Sequence, residues 1–511
     1  MNIMDEIIEA RRARIRTVGH ELGHAVPQRR EAPIVPFARL RAAIAGARPA
    51  TEGFLICEIK RRSPSKGAIH EGLDAVAQAG LYAAMGVATV SVLTEEERFG
   101  GSLQDLLEIK RAHPQLSVLR KDFLIDPEDI EVSYRAGADA VLLIAAALSP
   151  ERLAALYESA SALGMSCLVE VHSKEEAAKV EALKPAYTGI NARDLASFVV
   201  DPIVPIATKR FIGWPTRLIF ESGVSAKEHA AFARASGFDG ILVGESVVRD
   251  PGLIPGLFEG LSAPRAGFWE RLYARRQGPV AGAPVSAPAA PAALAASVAP
   301  AARKRPLVKV CGLCRTEDVR LADELGADIL GFIFAPSKRQ AALELVREVG
   351  PTAALKVGVV VLERGATALP EGVRALLEAG HLDAIQLHGD EAPEDCFAIA
   401  FPYYKALQLR DGKDIERIGA YRCPRVLIDA FSPAMRGGTG TEVEASLAQA
   451  AARRLPLWLA GGIGPENVRK IVTELRPELI DASSRLEAEI GRKDPAKLAA
   501  FFREIAAACE E

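Results

Sequence analysis

Residues 54–65 read F-L-I-C-E-I-K-R-R-S-P-S, an apolar run whose end carries Glu58 and Lys60 two positions apart. Side chains two apart on a strand share a face, so a strand here presents both charges on one side at its C-terminal end. Outward from this run, short apolar and β-branched stretches recur at 88–93, 117–121, 140–145, 166–171, 187–190, 217–221 and 240–244. Helical periodicity fills the intervals. A second set follows at 307–311, 329–334, 355–361, 384–388, 403–408, 425–429, 456–460 and 478–481. Eight strands alternating with helices, twice over, predict an α/β chain of two (β/α)₈ TIM-type barrels in tandem rather than two open doubly wound sheets.

The length agrees, since 511 residues exceed one ordinary core. With 49% hydrophobic and 25% charged residues, the composition is that of a folded globular chain. A balance of 63 basic against 66 acidic residues argues against nucleic acid as a partner. The longest apolar run, Ala140 to Leu148, falls well short of the roughly 20 residues a membrane span needs. The N-terminal M-N-I-M-D-E-I-I-E-A-R-R-A-R lacks an apolar h-region and reads as a helix, not a signal peptide. Seven scattered cysteines point to reduced thiols in a cytoplasmic protein. Between Pro279 and Ala302, 12 of the residues are Ala and 5 are Pro, which predicts an extended linker. The expected division is a barrel with an N-terminal helical extension over 1–262, a connecting segment over 263–306 containing the linker 279–302, and a second barrel over 307–511. A monomer is expected.

In such barrels catalytic groups sit at the C-terminal ends of strands, and phosphate commonly binds after strands 7 and 8. The first half decorates these ends with Lys121 in S-V-L-R-K-D-F, Glu170 in C-L-V-E-V-H, and Asn191 and Arg193 in G-I-N-A-R-D-L. Glu221, Ser222 and Gly223 end strand 7, and Gly244, Glu245 and Ser246 end strand 8. Carboxylates beside lysines at one mouth can form an acid–base constellation or a set of salt bridges filling it. Glycines with Ser hydroxyls after strands 7 and 8 suit a phosphate cradle.

These six motifs, in this order over about residues 1–260, closely resemble indole-3-glycerol-phosphate synthase. The resemblance implies closure of the indole ring of 1-(2-carboxyphenylamino)-1-deoxyribulose 5-phosphate, with loss of carbon dioxide and water and without a cofactor or metal. It implies Lys121 as the general acid at the substrate carbonyl and Glu170 as acid/base for the dehydration, with Glu58 and Lys60 balancing charge. Asn191 and Arg193 would hold the anthranilate ring and carboxylate, with Glu221 and Ser222 beside the substrate and Phe99 and Phe123 as walls. Ser63, Gly223, Gly244 and Ser246 would bind phosphate. Ala192, where the family usually has a second Asn, falls on the face away from Asn191 and Arg193 and is expected to matter little.

The second half opens with V-K-V-C-G-L-C-R. Cys311 and Cys314 could be part of a zinc site, but no second C-x-x-C or nearby His completes one. A thioredoxin-like redox pair is another reading, and a single thiol acting as a base at a barrel mouth is a third. The chain continues with G-F-I-F-A-P-S-K-R, K-V-G-V-V-V, I-Q-L-H-G-D, V-L-I-D-A, G-G-T-G, L-A-G-G-I and I-D-A-S-S-R-L-E. This resembles phosphoribosylanthranilate isomerase over about 307–508. The resemblance implies an Amadori rearrangement in which Asp429 protonates the ring oxygen and the Cys311 thiolate takes the proton from the neighbouring sugar carbon. Arg339 would sit near the anthranilate carboxylate, and Gly461, Gly462, Ser483 and Ser484 would cradle phosphate. Arg485 stands where the family has glycine, Thr441 where it has lysine, and Val-Val-Leu at 360–362 where it has Phe-Val-Asn. Arg485 could strengthen phosphate binding by its charge or block the approach of the backbone. Gly437, Gly438 and Gly440 read as a plain loop or as a mobile lid.

The product implied for the second barrel is the substrate implied for the first, so a fusion of consecutive tryptophan-biosynthesis steps acting on phosphorylated anthranilate sugars is expected. The other reading keeps the synthase and makes the second barrel a non-catalytic binding module.

Overall fold

The computed structural model describes residues 3–38, 53–63, 67–194, 199–262, 267–277, 305–366, 368–397, 399, 401–430, 445–453 and 456–510. The predicted linker 279–302, the G-G-T-G loop and Thr441 lie outside the described residues. The chain divides into two compact units, Met1–Gly267 and Phe268–Glu511.

In the first unit helix α1 (Ile3–Val18) precedes eight strands, β1 (Phe54–Ile59), β2 (Thr89–Leu93), β3 (Ser117–Lys121), β4 (Ala140–Ile144), β5 (Ser166–Val171), β6 (Tyr187–Asn191), β7 (Arg217–Glu221) and β8 (Gly240–Val243). All neighbours are parallel, and β1 pairs with both β2 and β8, closing the barrel. The interior follows from strict alternation: Phe54, Ile56, Leu119, Leu142, Leu168, Ile219 and Leu242 form one buried cluster. Two residues further along the same faces stand Glu58, Lys121, Glu170 and Glu221, so the apolar plug is capped by charge at the C-terminal end. Gly189 on β6 leaves room for this, because a Cβ there would meet Glu221 Oε1 at 1.9 Å. The helices between strands start and stop on local signals. Pro127–Ala136, for example, opens on Asp126–Pro127 and ends at Gly137 with φ 100°.

The second unit repeats the closed parallel barrel with β9 (Leu307–Cys311), β10 (Ile329–Ile333), β11 (Leu355–Val360), β12 (Ala384–Leu387), β13 (Tyr403–Leu409), β14 (Val426–Ala430), β15 (Trp458–Leu459) and β16 (Leu479–Ala482). Val308, Val310, Leu330, Phe332 and Ile480 face outward into one core with the surrounding helices.

One element departs from the sequence reading. Phe268–Gln277, inside the segment expected to be connecting chain, forms helix α2 and belongs to the second unit. Its residues reach groups just ahead of the barrel strands, so it lies across the N-terminal end. Tyr273 Oη donates to Glu478 at 2.7 Å, Arg275 Nε to Asp328 at 3.2 Å, and the Trp269 and Trp458 rings lie 5.8 Å apart. Four of its apolar residues, Phe268, Trp269, Leu272 and Tyr273, are buried, and a ten-residue helix is too short a pattern to stand out by periodicity. Among the described residues no helix is long and apolar enough to cross a membrane, and no disulfide joins the seven cysteines.

Candidate active sites

The C-terminal mouth of the first barrel opens into a cavity of about 750 Å³, within the range of small-molecule sites. All of Glu58, Lys60, Ser63, Phe99, Lys121, Phe123, Glu170, Asn191, Arg193, Glu221, Ser222, Gly223, Gly244 and Ser246 line it. At its floor Lys121 Nζ lies 3.3 Å from Glu170 Oε2 and 3.3 Å from Glu221 Oε2. Lys60 Nζ lies 2.7 Å from Glu58 Oε1. Burial works against the Lys121 charge, but Glu221, Glu170 and Glu58 outweigh it and hold the ammonium above its ordinary value. The two carboxyls then part company. Burial pushes Glu221 up to about 8 against the pull of Lys121, with Glu170 adding to the rise. Glu170 is held down, Lys121 and His172 overcoming its burial. The pair therefore keeps one proton at neutral pH.

The walls divide by chemistry. Phe99 and Phe123 face one another with ring centroids 6.4 Å apart. Asn191 Oδ1 accepts from the Arg193 amide at 3.0 Å, which fixes the strand end that carries the guanidinium. At the end of β7, Ser222 (φ 69°) and Gly223 (φ 75°) are both left-handed, a conformation that a serine adopts at a cost and that clusters at functional turns. Gly244 comes so close to Glu58 Oε1 that a Cβ would lie 2.4 Å from it. Ser246 Oγ donates to the Val224 carbonyl at 2.9 Å. Ala192 is buried off the cavity, as the alternation predicts.

The structure adds residues to this mouth. Asp122, next to Lys121 but on the opposite face, takes Arg11 of α1 at 2.7 Å and Arg120 at 2.9 Å, and Arg11 continues to Asp129 at 2.9 Å. The N-terminal extension is thereby bonded to the residue that follows Lys121. His172 sits 3.4 Å from Glu170 Oε1 and 3.1 Å from Glu176. Arg249 and Glu245 border the rim.

The second mouth holds a cavity of about 570 Å³ lined by Cys311, Arg339, Asp429, Gly461, Gly462, Ser483 and Ser484. Ser483 Oγ donates to the Cys311 carbonyl at 3.0 Å, and Gly461 (φ 93°) and Gly462 (φ 59°) make a left-handed turn open to the cavity. Burial holds the Cys311 thiol above its ordinary value, with Lys309 pulling against the rise without cancelling it. Arg339 is a held cation: Nε and Nη2 donate to the two Glu487 oxygens at 2.7 and 2.9 Å. Arg485 does not line the cavity; its guanidinium pairs with Glu466 at 2.6 Å, and its φ is not in the left-handed region that would require glycine. Among the described residues the only compact His/Cys/Asp/Glu group is His20, Asp126 and Asp129, which includes neither Cys311 nor Cys314.

Gln386, His388 and Asp481 also line this cavity, with Lys309 buried beneath it. His388 Nε2 lies 3.2 Å from Asp429 Oδ2. The signal for these residues was present as parity: Lys309 with Cys311, Gln386 with His388 and Asp481 with Ser483 are each two apart on one strand face.

Fold and mouths together define a tandem (β/α)₈-barrel chain with an acid–base cluster at the C-terminal end of each barrel. A family model described as "Indole-3-glycerol phosphate synthase" matches residues 4–253, and one described as "N-(5'phosphoribosyl)anthranilate (PRA) isomerase" matches 308–504. The indole-3-glycerol phosphate synthase of Geobacillus thermodenitrificans is 40% identical over 248 residues, 48% of this chain and 92% of that one. The multifunctional tryptophan biosynthesis protein of Phycomyces blakesleeanus is 32% identical over 510 residues, covering 88% of this chain and 62% of that protein. The phosphoribosyl anthranilate isomerase structure from Thermus thermophilus is 35% identical over 39% of this chain and 98% of its own, with a TM-score of 0.35. The chain belongs to the indole-3-glycerol phosphate synthase family through its first half, and its second half matches the phosphoribosylanthranilate isomerase model. It spans about three fifths of the length of the multifunctional relatives it matches.

Proposed function

We propose that the chain carries out two consecutive steps of tryptophan biosynthesis. The second barrel isomerises N-(5-phosphoribosyl)anthranilate to 1-(2-carboxyphenylamino)-1-deoxyribulose 5-phosphate, and the first closes that product to indole-3-glycerol phosphate. The observation that carries the reading is the placement of Lys121 between Glu170 and Glu221 at the floor of the first cavity. Ring closure needs a proton for the substrate carbonyl, then loss of carbon dioxide and of water. Lys121 supplies the first proton, and Glu170 serves the dehydration. Glu58 and Lys60 balance charge beside them. Asn191, Arg193, Glu221, Ser222, Phe99 and Phe123 hold the anthranilate end, and Ser63, Gly223, Gly244 and Ser246 the phosphate.

In the second barrel Asp429 gives a proton to the ring oxygen, and Cys311 as thiolate removes one from the adjacent carbon. Arg339 faces the carboxylate, and Gly461, Gly462, Ser483 and Ser484 face the phosphate. Free thiols fit a reducing compartment, which supports a cytoplasmic location. The test supplies purified chain, in separate assays, with the ribosylamine and with 1-(2-carboxyphenylamino)-1-deoxyribulose 5-phosphate, and follows isomerisation of the first and ring closure of the second. Formation of neither product refutes the reading, whereas ring closure without isomerisation makes the second barrel a binding module.

A further inference from the structure

Lys309 takes no part in the chemistry just described, yet it is completely buried beneath Cys311. Its Nζ donates to Cys311 Sγ at 3.4 Å, to Gln386 Oε1 at 2.6 Å and to Asp481 Oδ2 at 2.5 Å. An ammonium has three N–H groups, so every one is committed and the direction of each bond is fixed. Gln386 Oε1 also accepts from Tyr404 Oη at 3.1 Å. With its carbonyl so occupied, the amide turns its NH₂ to His388 Nδ1 at 2.8 Å. A ring nitrogen that accepts leaves the hydrogen of a neutral imidazole on the other, and that other nitrogen, Nε2, faces Asp429 Oδ2 at 3.2 Å. Gly331 is the packing condition for this arrangement, since a Cβ there would lie 2.8 Å from Cys311 Sγ and 2.9 Å from Lys309 Cε.

We propose that Lys309 is a shared positioning residue of the isomerase site, its ammonium set against Cys311 Sγ to favour the thiolate over what burial alone would allow and, through Gln386 and His388, orienting Asp429 with its other oxygen toward the sugar. The inference rests on the reading of Cys311 as base and Asp429 as acid. In each turnover the Asp429 proton passes to the ring oxygen and the carbon proton to Cys311. As the resulting enol becomes the ketose, a proton is delivered to the former anomeric carbon and the enol hydroxyl proton is released, which restores both groups while Lys309 keeps its own. The charged and titratable groups acting on Cys311 besides Lys309 are Asp481, Lys493, Arg339 and Tyr404. Asp481 opposes the ammonium. Lys493 and Arg339 assist it, although both are tied to Glu487.

The experiment measures, in the full chain, the pH dependence of Cys311 alkylation by iodoacetamide, read on the Cys311 peptide by mass, together with isomerase kinetics. Lys309→Met is expected to move the alkylation midpoint upward, with about tenfold less thiolate at a given lower pH and a kcat reduced in proportion. Asp481→Asn keeps Lys309 and removes its opponent, so the midpoint moves downward. Gln386→Leu leaves the midpoint in place and lowers kcat, with KM within about twofold. Equal midpoints in wild type and Lys309→Met, or shifts of the same sign in Lys309→Met and Asp481→Asn, overturn the proposal. If Lys309→Met does not fold, an Asp481→Asn midpoint that stays put or rises overturns it alone. An unchanged kcat in Gln386→Leu overturns the link to Asp429. Isomerase turnover surviving in Cys311→Ser would instead refute the base assignment, whatever Lys309 does.

Discussion

Helix α2 predicts a selective loss of stability. Trp269 is 5% exposed, packs on Trp458 at 5.8 Å, and belongs to a helix whose Tyr273 and Arg276 bind Glu478 at 2.7 and 2.8 Å. Glu478 in turn holds buried Arg425 at 2.5 Å and accepts from Trp458 Nε1 at 2.9 Å. Trp269→Ala removes a large core side chain, which costs about 3–5 kcal/mol. For a unit of this size each kcal/mol lowers the melting temperature by about 2–4 °C, giving a fall of about 6–20 °C. Calorimetry of the full chain, with each activity assayed after heating, assigns the transitions to the two barrels. The transition that removes isomerase activity should move, and the one that removes ring closure should stay. Tyr273→Phe deletes only a hydrogen bond to a buried carboxylate, about 1.5–3 kcal/mol, and should shift the same transition less. A shift of the ring-closure transition instead, or of neither, refutes the assignment of α2 to the second barrel. A fragment cut at residue 308 lacks the whole helix and should be less stable than one beginning at 267.

Lys121→Met or Glu170→Gln should reduce ring closure by about 10²–10⁴-fold with isomerisation intact, and Cys311→Ser or Asp429→Asn should do the reverse, in separate assays of the two steps. Glu221, raised to about 8, keeps its proton through neutrality. Its contribution to stability is full below about 4.3 and is lost as pH rises through about 8. Ring closure should therefore show a limb near pH 8 that Glu221→Gln removes; a profile unchanged in the variant would contradict the raised value. Arg485→Gly breaks a partly exposed pair with Glu466, and loss of that pair should change stability by less than about 1 kcal/mol. The isomerase KM should stay within about twofold, and a clear rise would show that Arg485 reaches the phosphate.

The sequence by itself determined the two barrels and most of both mouths, because the information is local. Strand alternation has period two. Glu58 with Lys60, and Asn191 with Arg193, therefore declare a common face, and Lys121, Glu170 and Glu221 declare a strand's end, before any partner strand is known. What the tertiary structure decided depends on which strands become neighbours across a closed barrel. Lys309 reads as one basic residue within V-K-V-C until β9, β12 and β16 bring Cys311, Gln386 and Asp481 onto its ammonium. Helix α2 reads as connecting chain until Trp458 and Glu478, some 200 residues away, supply the surface it covers. Arg485 stands at a family glycine, and the folded chain pairs its guanidinium with Glu466 and leaves it out of the cavity lining. Such contacts are set by closure and packing between distant segments, and no local period encodes them.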